Sequence, residues 1–60
     1  MGKELSKNDI VREVRGNSRL RVQVDAELDL EDLVRLLRRI FLGDAADDVI
    51  RAAASALYRD

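Results

Sequence analysis

Arg19-Leu20-Arg21-Val22-Gln23-Val24 alternates basic or polar side chains with apolar ones without a break. The polar set, Arg19, Arg21 and Gln23, is equipped to bond base edges. A guanidinium donates two hydrogen bonds to guanine O6 and N7, and a glutamine amide pairs with adenine N6 and N7. A period of two predicts an extended strand with these three residues on one face and Leu20, Val22 and Val24 on the other. A lone strand leaves its backbone donors and acceptors unpaired. Its completion is expected from the same strand of a second copy, which doubles the Arg/Arg/Gln face into a symmetric surface suited to DNA.

Other chemistry is sparse. The chain has no His and no Cys, which removes the usual near-neutral base, the thiolate nucleophile, disulfides and the common zinc arrangements. Ser6, Ser18 and Ser55 lie in no recognisable nucleophile motif, and no glycine-rich phosphate loop is present. The expectation is a protein that is not an enzyme and that carries neither cofactor nor metal. Asp25, Glu27, Asp29 and Glu31 alternate like the first ligands of a calcium loop. Leu30 stands where that loop needs Gly and Leu36 where it needs Glu, so an EF-hand is excluded.

Charge is divided along the chain although the net is only −1. Residues 1–24 carry Lys3, Lys7, Arg12, Arg15, Arg19 and Arg21 against Glu4, Asp9 and Glu13, a net of +3. Residues 25–60 carry five Arg against nine acids, a net of −4. Such polarity suits a basic face turned to phosphates with acidic helices behind it. Sixty residues bury a marginal core, and without disulfide or metal staples oligomerisation is the remaining support. No apolar run approaches the ~20 residues of a membrane span, so the protein is expected to be soluble and cytoplasmic, without a membrane partner.

The elements that would position the strand are helical. Ser6 suits an N-cap, Asp9 the acidic third position, and Leu5 with Ile10 a hydrophobic staple, predicting a helix from Lys7 to Arg15 closed by Gly16. The rival for this segment is a strand: Val11–Arg15 and Arg19–Val24 flank Gly16-Asn17-Ser18, a plausible hairpin loop. A broad stripe of Leu30, Leu33, Val34, Leu36, Leu37, Ile40 and Phe41 predicts a helix from Leu30 to Leu42, with acids first and Arg35, Arg38 and Arg39 later. Gly43 suits a left-handed helix end and Asp44 the N-cap of a last helix, with Asp47 and Asp48 in its first turn. Its apolar positions are Ala46, Val49, Ile50, Ala53, Leu57 and Tyr58. Pairs one turn apart, Glu31 with Arg35 and Asp47 with Arg51, are expected along these helices.

This order of strand, helix, turn and helix resembles the ribbon-helix-helix transcriptional regulators and antitoxins over residues 19–59. The likeness is carried by Arg19–Val24, by Leu30–Leu42, by the turn Gly43-Asp44-Ala45-Ala46, and by Asp48-Val49-Ile50-Arg51-Ala52-Ala53. The resemblance implies a mainly α, intertwined homodimer: a short N-terminal helix or arm (1–18), then a ribbon-helix-helix-like domain (19–60) with one strand paired in trans and two helices. The alternative is a ββαα fold with a hairpin inside one chain. It also implies a repressor reading the major groove through Arg19, Arg21 and Gln23, over a dimer core of Leu20, Val22, Val24, Leu33, Leu37, Ile40, Val49, Ile50 and Leu57. The alternative function is an acidic protein-docking or dimerisation module, or a small protein inhibitor, without nucleic acid.

Overall fold

Ser6 accepts a hydrogen bond at Oγ from the Asp9 amide (3.2 Å) while the Asp9 carboxylate accepts one from the Ser6 amide (3.0 Å). This reciprocal cap starts the first of four helices among the described residues. The computed structural model describes residues 4–59; Lys3 and Asp60, counted above in the two charge halves, lie outside them. The elements are α1 (Lys7–Arg15), α2 (Ser18–Ala26), α3 (Leu30–Ile40) and α4 (Asp47–Arg59).

No described residue is in a strand, which overturns both the ribbon-helix-helix-like dimer and the ββαα hairpin. Arg19–Val24 is the body of α2, and Val11–Arg15 belongs to α1. The cause is local. Asn17 sits in extended backbone and its side-chain oxygen accepts from the amides of Arg19 (3.0 Å) and Leu20 (3.3 Å), so a residue assigned to a hairpin loop is instead an N-cap. A helix then satisfies its own backbone without borrowing a second chain.

Alternation also has a helical reading. Leu20 and Val24 are one turn apart and share a face. Val24 is buried and Leu20 half-buried against the core. Val22, rotated by about 200° from each, is 68% exposed, so within one protomer it lies outside the core.

Helix α4 is the hub. It packs against both α1 and α3, whereas α2 leans chiefly on α1. Ala53 and Ala54 are fully buried, and their small side chains let the neighbouring helices approach. Around them close Ile10 and Val14 of α1, Leu33, Val34 and Leu37 of α3, Ile50 of α4, and Phe41 just past α3. Ile40, Val49 and Leu57 are half-buried at the edge of this cluster. A backbone bond from the Leu5 amide to the Asp44 carbonyl (2.8 Å) ties the start of the chain to the loop between α3 and α4.

Two predicted boundaries shift. Helix α3 ends at Ile40 rather than Leu42, because the chain turns through Phe41–Asp44, with Gly43 at a positive φ of 81°. Asp44 therefore lies inside that turn, its amide bonded to the Phe41 carbonyl (2.9 Å), and α4 begins three residues later. The ion pairs shift too. Arg51 meets Glu31 (3.5 Å) and Arg38 meets Asp47 (3.3 Å), joining α3 to α4 rather than bracing single helices, and Arg35 pairs with Asp32 (3.8 Å). All are exposed and contribute less than about 1 kcal/mol each.

Helix α2 differs from its neighbours in charge order. Helices α1, α3 and α4 carry acids in their first turns, and α1 and α3 carry Arg in their last, as the helix macrodipole favours. Helix α2 has no acid in its first turn and no base in its last. Arg19 and Arg21 lie towards its N-terminal end and Asp25 towards its C-terminal end, an order that costs roughly 0.3–1 kcal/mol for each exposed charge near a terminus.

Candidate functional site

The helical state of α2 disperses the expected base-reading set. Arg19 and Gln23 are one turn apart and share a flank, while Arg21 projects from the other side, and all three are exposed. A continuous recognition ridge therefore does not form, because a helix rotates alternate residues apart where a strand would align them. The expected core positions Val24, Leu33, Leu37 and Ile50 are buried within one protomer.

What the fold leaves open is a groove where the end of α2 meets the end of α4. Its floor is Val24 and Leu33; its walls are Leu57, half-buried, with Leu28 at 84% and Tyr58 at 50% exposure. The concavity has a volume of about 220 Å³, and Asp25 and Glu27 complete its lining. It continues into a second hollow of about 240 Å³ that shares Val24, Asp25 and Leu57 and ends at Arg15 and Arg21. The lining is thus of mixed polarity, with Asp25 and Glu27 at the Leu28–Tyr58 end and Arg15 and Arg21 beside Asp25 at the α1–α2 corner.

Each wall has a local origin. Val24 reaches the floor because α2 turns it inward with Leu20. Glu27 stops α2 in extended backbone (φ −82°, ψ 128°), and the two residues that follow before α3 leave Leu28 outside either helix. Leu57 and Tyr58 occupy the last turn of α4, past the level at which α1 and α3 cover Ala53 and Ala54. Sequence reasoning missed Leu28, an isolated apolar residue between Glu27 and Asp29 with no periodic partner; its short, acid-flanked interhelical setting is the available signal.

The groove has no nucleophile–base pair among its lining residues, and no group of acids among the described residues is arranged to hold a metal ion. No helix among them is long and apolar enough to cross a membrane. The groove lining combines apolar side chains with the carboxylates of Asp25 and Glu27. Scans of protein-family models, curated proteins and solved structures found no match to this chain.

Proposed function

We propose that this protein is a small helical docking module whose α2–α4 groove receives an apolar segment of a partner protein flanked by basic residues. The observation that carries this reading is the open cleft of Val24, Leu28, Leu33, Leu57 and Tyr58, with Asp25 and Glu27 beside it. Exposed Leu28 and Tyr58 lose apolar area from water when such a segment seats, and the two carboxylates select cationic flanks. An amphipathic helix laid in an apolar groove is a recurrent mode of peptide recognition.

Tyr58 is the only tyrosine and the chain has no tryptophan, so the groove contains its own fluorophore. A Leu-anchored helical peptide flanked by Lys, itself free of Tyr and Trp, is expected to change Tyr58 emission with a Kd of about 1 μM or weaker, a binding free energy of about −8 kcal/mol at most in magnitude. The same peptide with Glu for Lys is expected to bind at least tenfold less tightly. Leu28→Asp, at an exposed position, is expected to abolish binding with the fold intact. Equal binding of both peptides refutes the charge selection. Binding of a mixed-sequence DNA duplex at ~50 mM salt that weakens steeply as salt rises replaces the docking reading with nucleic-acid recognition.

A further inference from the structure

We propose that the outer face of α2 is a self-association surface, on which a second copy of this chain lies antiparallel about a two-fold axis passing Val22. Ser18, Arg19, Val22, Asp25 and Ala26 recur at the spacing of one helical face, and all five are exposed. This face is opposite the Leu20–Val24 side that packs inward; it shares Asp25 with the groove lining, and the Leu28→Asp variant separates the two surfaces.

The charge pattern identifies the occupant. Arg19 lies three residues before Val22 and Asp25 three after it. An antiparallel copy therefore sets each Arg19 beside the partner's Asp25, twice per dimer. Ser18 and Ala26 flank the axis symmetrically, and their small side chains permit the roughly 8–10 Å separation of packed helices. An interface between identical copies must be self-complementary, and this face meets that condition.

Two further observations support it. Among the described residues, neither Arg19 nor Asp25 forms an ion pair within its own protomer. Their order also opposes the α2 macrodipole, unlike the charges of α1 and α3. An antiparallel partner corrects that order, because it delivers an aspartate to the N-terminal part of α2 and an arginine to the C-terminal part. A concavity of about 280 Å³ beside this face, lined by Arg15, Gly16, Ser18, Arg21, Val22 and Asp25, leaves room for the neighbour's side chains.

The contact is short. A nine-residue helix is roughly 14 Å long, and one such pair falls below the ~1,200 Å² of a stable interface, so association is reversible and concentration-dependent.

Sedimentation velocity at ~50 mM salt, from ~10 μM to ~1 mM protein, tests this. The wild-type average mass is expected to rise towards twice the monomer's. Asp25→Arg sets like charges against each other and is expected to weaken association at least tenfold. The double variant Arg19→Asp/Asp25→Arg restores opposite charges and is expected to regain it. Both exchanges follow the α2 dipole, and unchanged circular dichroism is expected to confirm an intact helix. Leu28→Asp, which spoils the groove, is expected to associate like the wild type. A wild type monomeric at ~1 mM, an Asp25→Arg variant that associates normally, or a double variant that stays monomeric overturns the proposal. Loss of association in Leu28→Asp also overturns it, placing the contact in the groove.

Discussion

Alanine at Val22 and at Val24 has opposite expected effects on stability, because the two valines lie on opposite sides of α2. Val24 is 7% exposed, and truncation to Ala removes buried methyl groups worth about 0.8 kcal/mol each, with an added penalty for the void. Alanine's better helix propensity returns about 0.5 kcal/mol, leaving a net loss of about 1–2 kcal/mol. Val22 is 68% exposed, so Val22→Ala forfeits little packing and keeps the propensity gain. In a chain of this size 1 kcal/mol corresponds to about 4–8 °C in Tm. Val24→Ala is therefore expected to melt roughly 5–15 °C lower and Val22→Ala up to about 4 °C higher. The assay is far-UV circular dichroism on heating at ~10 μM protein, where the weak α2 association is undone. On a strand both valines share one face and both substitutions cost stability. Equal drops in Tm refute the helical placement of Arg19–Val24.

Two further predictions concern the core and the cap. Leu37 is fully buried, and Leu37→Ala is expected to cost about 2–5 kcal/mol against a total of roughly 3–9 kcal/mol for sixty residues, moving the urea midpoint down by at least about a fifth; a wild-type midpoint contradicts the hub packing. Asn17→Ala removes the acceptor for two α2 amides and is expected to cost about 1 kcal/mol, with faster hydrogen exchange at Arg19 and Leu20. Unchanged exchange at both amides excludes the cap.

Much of the helical frame is legible from residue types alone. Ser6 and Asp9 define the start of α1, the stripe from Leu30 to Ile40 defines α3, and the paired acids Asp47 and Asp48 mark the first turn of α4. Helix α2 is not legible by periodicity, because Leu20 and Val24 are both alternate and one turn apart, so two patterns fit the same residues. Asn17 decides between them, and its side-chain oxygen serves a cap as readily as Asn serves a hairpin turn. The groove was hidden for a different reason. Its walls come from Leu28, which has no periodic neighbours, and from Tyr58, whose half exposure depends on where α1 and α3 stop covering α4.

The packing of α1 on α4, fastened by the Leu5–Asp44 bond, bears on how the chain matures as it is made. Ile10 and Val14 are translated some thirty residues before the α4 surface that buries them. At about 5–20 residues per second the nascent chain carries them uncovered for seconds. Closure of this core therefore awaits synthesis of α4, and α1 stays open to other contacts during that interval.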